Sequence, residues 1–77
     1  MQNDFSEEYK RIGLNIALYR KLRGLTQMQL ADRVNISRTH ISNIEAPNMN
    51  TSISLDLIFN ISKELDVPAY KFFITDL

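Results

Sequence analysis

The chain has 77 residues, enough for one small domain. It contains no cysteine and one histidine, which excludes disulfides, thiolate-bound zinc and histidine-rich metal sites. No apolar run approaches the roughly 20 residues of a membrane span, and no secretory signal follows Met1. We therefore expect a single cytoplasmic domain over residues 1–77, with no membrane, metal, cofactor or small-molecule partner.

The net charge is zero, but the charges are unevenly distributed along the chain. Residues 10–40 contain seven basic side chains and one acidic side chain, whereas residues 41–77 contain two basic and five acidic ones. A positive segment allows a neutral protein to present one positive face, as nucleic-acid binding requires. The alternative is that surface charges cluster by chance.

A first helix is predicted over about residues 5–23. Asp4 and Glu7 suggest a capping box, and Gly24 suits the left-handed residue that ends a helix. The apolar residues recur at helical spacing: Phe5, Tyr9, Ile12, Ile16 and Tyr19.

Two short helices follow, separated by a tight turn. Thr26 and Gln29 predict a capping box at the start of the second helix. Asn35 tolerates the left-handed conformation that ends it, and Ser37 suits the cap of a third helix over about 38–45.

A fourth helix is predicted over about residues 55–65, with Ser54 as its cap. After a turn at Asp66, Pro68 suits the start of a short fifth helix. No segment alternates in polarity for long enough to form a strand. The predicted fold class is all-α, with five short helices.

The spacing within residues 26–45 predicts a helix-turn-helix. Ala31 is small where two helices joined by a short turn must cross closely, and Asn35 supplies that turn. The apolar positions that would hold the two helices together are Leu30, Val34, Ile36, Ile41 and Ile44.

This stretch resembles the Cro- and phage-repressor-like (XRE-type) helix-turn-helix family. The resemblance covers residues 12–73 and rests on Ile12-Gly13, Leu25-Thr26-Gln27, Leu30-Ala31, the run Ile36–Glu45, and Leu55 to Phe73. It implies a lambda-repressor-like domain from a prokaryote or phage that binds operator DNA, usually as a two-fold dimer. It also implies that 38–45 is the recognition helix, and that Arg20 pairs with Glu45 as a structural ion pair.

The third helix has a polar face that suits base recognition. If Ile41 and Ile44 point inward, a rotation of about 100° per residue turns the predicted base-reading residues outward. These are Arg38, Thr39, Ser42 and Asn43. An arginine fork can bind guanine and an asparagine can bind adenine, whereas an ordinary solvated helix would carry Glu and Lys here.

Further polar residues flank this face and are predicted to contact DNA phosphates. They are Thr26, Gln27, Ser37 and His40 at or near the starts of the two helices, and Asn48 and Asn50 in the following loop. A surface position for His40 is the alternative.

Two apolar sets are left over. The C-terminal residues 66–77 carry Tyr70, Phe72, Phe73, Ile74 and Leu77, which predict a dimer interface. Leu14, Leu18 and Leu22 form a second stripe, which either packs against the C-terminal tail or a partner, or is a wide apolar face of the first helix.

The function predicted from these features is a sequence-specific transcriptional regulator, most simply a repressor, acting as a homodimer on a palindromic operator in double-stranded DNA. Two alternatives on the same fold are an antitoxin-type autoregulator and a protein-interaction module. An enzyme is not expected, because no catalytic set can be assembled around one histidine.

Overall fold

A computed structural model describes residues 4–49 and 51–75. This part of the chain is all-α, as predicted, and contains no strand. Its elements are α1 (Ser6–Leu22), α2 (Gln27–Val34), α3 (Arg38–Glu45), α4 (Leu55–Leu65) and a 3-10 turn (Ala69–Phe72). The predicted fifth short helix is present, but as a four-residue 3-10 helix rather than an α-helix, so the described residues contain four α-helices. The turn is held by α1, since the Asn15 side chain donates to the carbonyl oxygen of Phe72 at 2.9 Å.

The start of α1 differs from the predicted capping box. Phe5 is the N-cap residue and its side chain makes no capping hydrogen bond. Asp4 instead accepts a hydrogen bond from the backbone N–H of Ser6 at 2.9 Å. Because this contact spans only two residues, Asp4 and Glu7 do not form the reciprocal pair of a capping box.

The helix-turn-helix has the predicted local structure. Thr26 and Gln29 form a complete capping box at the start of α2. Asn35 ends that helix in the left-handed conformation, with a φ of 61°. Ser37 then caps α3, since its hydroxyl accepts from the backbone N–H of His40 at 3.0 Å.

All four helices contribute to one core. Helix α3 packs against α1 and α2, while α4 packs against α2, α1 and the 3-10 turn. The largest fully buried side chains are Ile16, Leu30, Ile41, Ile61, Leu65 and Phe72. Phe72 lies edge-on to Tyr19 of α1, with ring centroids 6.1 Å apart.

The burial of Phe72 corrects the predicted dimer interface. Phe72 was expected to contact a second copy, yet its side chain is 0% exposed within one chain. A short turn folded back onto α1 and α4 places this ring in the core, so it is not available to a partner. Sequence pattern alone did not separate Phe72 from its exposed neighbour Phe73.

Gly13 allows α1 and α3 to approach closely. A Cβ atom at this position would lie 2.0 Å from the backbone carbonyl oxygen of Ile44. No side chain fits at that distance, so glycine fixes the spacing between the first helix and the end of α3. The position of α3 therefore depends on a residue outside the helix-turn-helix.

Candidate nucleic-acid interface

Helix α3 is anchored by its apolar side and presents its polar side outward. Ile41 is 0% exposed and Ile44 is 3% exposed. Of the four predicted base-reading residues, Arg38 and Thr39 are exposed, and Ser42 and Asn43 are half-buried. This side carries an arginine fork, two hydroxyls and an amide, which are groups that can bind base edges in a major groove.

The end of α3 is held by a buried ion pair. Arg20 of α1 binds the Glu45 carboxylate through two hydrogen bonds, Nε to Oε2 at 2.7 Å and Nη2 to Oε1 at 2.8 Å. Both side chains are at least nine-tenths buried. The third guanidinium nitrogen, Nη1, donates to the carbonyl oxygen of Leu25 at 2.8 Å. The pair therefore fixes α3 relative to α1 and to the start of α2.

Gln27 belongs to the same network. Its side-chain Nε2 donates to Glu45 Oε1 at 3.0 Å. The Gln27 side chain, which is predicted to contact a phosphate, is therefore already oriented by its hydrogen bond to Glu45. Its carbonyl oxygen would repel a phosphate, so its remaining amide hydrogen is the group that suits such a contact.

A shallow groove of about 390 Å³ runs between α1 and α3. Ser42 and Gln27 line it from one side, and Ala17 and Lys21 line it from α1. Lys21 is exposed and was given no role by the sequence pattern. Only the crossing of α1 over α3 shows that this ammonium group lies beside the predicted DNA-binding residues.

Thr26 and Ser37 act as helix caps. The Thr26 hydroxyl accepts from the backbone N–H of Gln29, and the Ser37 hydroxyl accepts from that of His40, each at 3.0 Å. Each hydroxyl keeps a proton that it can donate, and both residues are exposed. His40 is half-buried at the first turn of α3. The Thr26 and Ser37 hydroxyls can therefore donate to a phosphate, and the predicted phosphate contacts of all three residues stay predictions.

The loop after α3 also carries predicted phosphate contacts. Asn48 is exposed and lines a small depression together with Glu7 and Lys10 of α1. Because one of these two side chains is acidic and the other basic, their charges neither favour nor disfavour a phosphate at Asn48. Asn50, the other predicted loop contact, lies outside the described residues.

One further basic side chain of the positive segment is used inside the fold. Arg23 donates through Nε to the carbonyl oxygen of Leu65 at 2.6 Å and through Nη2 to that of Asp66 at 3.0 Å. It therefore caps the C-terminus of α4. With Arg20 also committed to an ion pair, the charge available to DNA is smaller than the sequence count.

The predicted C-terminal interface is only partly exposed. Tyr70 and Phe73 are 60% and 43% exposed, whereas Ile74 is half-buried. The carbonyl oxygen of Ile74 accepts from the Asn15 side chain at 2.8 Å. Leu77 lies outside the described residues. Tyr70 and Phe73 therefore remain as exposed residues of the predicted interface, and the adjacent Ile74 is half-buried.

The leucine stripe of α1 is only partly covered by the residues that the structure describes. Leu14 and Leu22 are 46% and 67% exposed, and Leu18 is half-buried. Among the described residues, no helix is long and apolar enough to cross a membrane. Leu14 and Leu22 therefore remain exposed on α1 in this part of the chain.

Comparisons with known proteins agree with this geometry. A family model described as helix-turn-helix matches residues 16–72. The chain belongs to this family. Its domain is of the repressor-like XRE type, a family of DNA-binding regulators.

A phage repressor is among the proteins that this chain resembles in sequence. The chain is 44% identical over 43 residues to the immunity repressor protein of Bacillus phage phi105, which covers 56% of this chain and 30% of that protein. The chain thus matches less than a third of that relative's length.

Two solved structures resemble most of the chain. One is a hypothetical transcription factor, NHTF, from Neisseria, with a TM-score of 0.80 and 26% identity over 96% of this chain and 83% of that one. The other is SinR, a master regulator for biofilm formation solved in complex with DNA. It has a TM-score of 0.75 and 30% identity over 82% of this chain and 98% of that one.

Proposed function

We propose that this protein recognises a specific DNA sequence with the outward side of α3. The observation that carries the proposal is the division of α3 into two sides. Ile41 and Ile44 are buried, so the polar residues of the same helix point away from the core. The residues that we assign to base recognition are Arg38, Thr39, Ser42 and Asn43.

Phosphate contacts would hold α3 in register with the bases. We assign them to the exposed hydroxyls of Thr26 and Ser37 and to Gln27 and Lys21 beside the groove. His40 is a further candidate. Such contacts supply most of the binding free energy without selecting a sequence, whereas the base contacts supply the preference.

We further propose that the protein acts as a homodimer on a palindromic operator. A single eight-residue recognition helix contacts few base pairs. Two copies with recognition helices about 34 Å apart reach successive major grooves on one side of the duplex. SinR, bound to DNA in its structure, and the phage immunity repressor support the DNA-binding part of this proposal by similarity.

Repression is the simplest mechanism for such a protein, because it requires DNA binding alone. A dimer bound over a promoter blocks polymerase without any further contact, in the cytoplasm of a prokaryotic cell or of a phage host. The similarity to an immunity repressor favours this role over activation. Selection of binding sites from random DNA, followed by sequencing, tests both sequence specificity and symmetry, because a two-fold dimer selects a palindrome.

The base-reading role is tested by two substitutions of Arg38. We expect Arg38→Ala to weaken operator binding by about 1–3 kcal/mol and to relax the preference at one base pair. Arg38→Lys is the matched control, because lysine keeps the charge but not the planar fork that binds guanine. Near-normal binding by Arg38→Lys, with an unchanged preference, would instead assign Arg38 to a phosphate.

The phosphate role is tested by the dependence of binding on salt. The logarithm of the affinity should fall linearly with the logarithm of the salt concentration, and Lys21→Gln should reduce this slope by about one. Its preference among sequences should be that of the wild type. If the protein binds no DNA at any salt concentration, the protein-interaction module is the better interpretation.

A further inference from the structure

Helix α4 has an exposed side that the described residues leave without a partner. Leu55 and Phe59 lie one helical turn apart and are 60% and 56% exposed. Leu57, Ile58 and Ile61 occupy the opposite side and are buried in the core. The fold thus uses one side of α4 and leaves an aromatic ring and a leucine in solvent on the other.

The same exposed side carries one acidic and one basic residue, Asp56 in the first turn of α4 and Lys63 in its last turn. They lie seven residues apart, about 10.5 Å along the helix, which is too far for an ion pair between them. Among residues 4–49 and 51–75, the ion pair formed is that of Arg20 with Glu45, so Asp56 and Lys63 are unpaired.

The charges on this side of α4 are complementary to those of a second copy of the same helix. When two copies of α4 pack antiparallel about a two-fold axis, the midpoint of the contact falls next to Phe59. Both charged residues lie on one flank of the exposed side, about 20° apart around the helix at 100° per residue. Asp56 of one copy therefore faces Lys63 of the second copy, and the symmetry forms this contact twice.

We propose that the outward side of α4 is the surface through which two copies of this chain associate. The proposal rests on the homodimer put forward above and names the contact surface. The Phe59 rings would pack at the centre, and the two Asp56–Lys63 pairs would fix the antiparallel register. Because α3 packs against α1 and α2, a copy bound to α4 leaves the base-reading side of α3 free.

The first test is Phe59→Asp, measured by sedimentation over a range of protein concentrations. Loss of a central aromatic contact should raise the dimer dissociation constant about 30-fold or more. Phe5→Asp is the matched control, since Phe5 is also aromatic and is 55% exposed at the start of α1. It should leave the mass unchanged. Tyr70→Asp tests the C-terminal surface that the sequence predicts. Dissociation by Tyr70→Asp, with an unchanged mass for Phe59→Asp, would move the interface to the C-terminal turn and overturn the proposal.

The second test exchanges the two charges. Asp56→Lys and Lys63→Asp should each place like charges across the axis and raise the dissociation constant about fivefold. The double variant should return it to near the wild-type value. Each exchange also weakens α4 at its ends, so thermal unfolding of all three variants is measured alongside. Failure of the double variant to recover dimerisation while remaining folded would contradict the antiparallel register.

The measurements distinguish a wrong contact surface from a wrong oligomeric state. If the wild-type protein sediments as a monomer both alone and on its selected DNA site, the homodimer itself is wrong. If the wild type is a dimer and Phe59→Asp remains an equally stable dimer, the homodimer stands and the α4 surface is wrong.

Discussion

The helix-turn-helix and the C-terminal segment are both anchored on α1, but by different kinds of contact. Between Thr26 and Glu45, each helix start is satisfied by a side chain of its own segment, and one ion pair ties the end of α3 to α1. The segment after α4 has one local side-chain contact, from the Ser62 hydroxyl to the carbonyl oxygen of Val67, and its 3-10 turn has no side-chain cap. The other donors are Asn15, which holds the carbonyls of the turn, and Arg23, which holds those at the end of α4. Both lie more than forty residues earlier in the chain.

The two regions therefore differ in how much of their structure each can form before the rest of the chain packs against it. A capped helix has a strong preference for its structure before any packing occurs. A segment whose hydrogen-bond donors come from a distant helix is ordered only after that helix is in place. We therefore expect substitutions on α1 to affect both regions, and by different routes.

Glu45→Ala is expected to have the largest effect. It would leave the buried Arg20 guanidinium without its partner, and it would also remove the acceptor of Gln27. The expected loss is about 3–5 kcal/mol in the free energy of unfolding, measured by urea denaturation. The double variant Arg20→Met, Glu45→Leu is the control, since it removes both charges. It should lose clearly less than Glu45→Ala; an equal loss would mean that packing, not the unpaired charge, dominates.

Gly13→Ala should have the next largest effect. A methyl group within 2.0 Å of the Ile44 carbonyl oxygen forces α1 and α3 apart. The expected loss is about 2–3 kcal/mol, despite the better helix propensity of alanine. DNA binding should weaken as well. Gly24→Ala is the comparison: no atom lies within 4 Å of its added Cβ, and only the positive φ of 74° is strained. That strain should cost about 1–2 kcal/mol and leave α3 in place.

Asn15→Ala should loosen the C-terminal segment while sparing the helix-turn-helix. The Asn15 amide donates to the carbonyl oxygens of Lys71, Phe72 and Ile74. Without this donor, we expect a loss of about 1–2 kcal/mol in the free energy of unfolding.

Hydrogen exchange is the measurement that locates the effect. Exchange of backbone amides in the 3-10 turn should accelerate in Asn15→Ala, with little change in α3. Asn60→Ala, an exposed position on α4, should change neither region. Equal acceleration throughout the chain would show that the two regions unfold together.

Asp4→Asn is expected to have the smallest effect, seen only in the pH dependence. The hydrogen bond from the Ser6 backbone N–H lowers the pKa of the Asp4 carboxyl. A carboxyl with a lowered pKa in the folded state stabilises the fold above its unfolded pKa, about 4. This contribution is lost as the pH falls through the folded pKa.

The measurement is urea denaturation at neutral and acidic pH. The small difference between the wild type and Asp4→Asn should therefore shrink when the pH is lowered below about 4. A difference that grows on acidification would contradict this assignment.

The elements that sequence predicted well are those with local signals. Helices α3 and α4 begin and end where their caps and turn residues indicated, and Asn35 adopts the left-handed conformation that was expected. The interaction between a capping hydroxyl and an amide three residues later is complete within one turn of chain. The sequence alone therefore determined the helix-turn-helix and the polar side of its second helix.

Contacts between distant residues were decided by the tertiary structure. Phe72 and Phe73 are adjacent and chemically identical, yet the first is in the core and the second is 43% exposed. Asn15 and Lys21 show no local signal, because their roles depend on which segments lie against α1. Burial and cross-chain hydrogen bonding depend on the packing of several helices at once, and that packing is a property of the folded chain rather than of any short stretch of sequence.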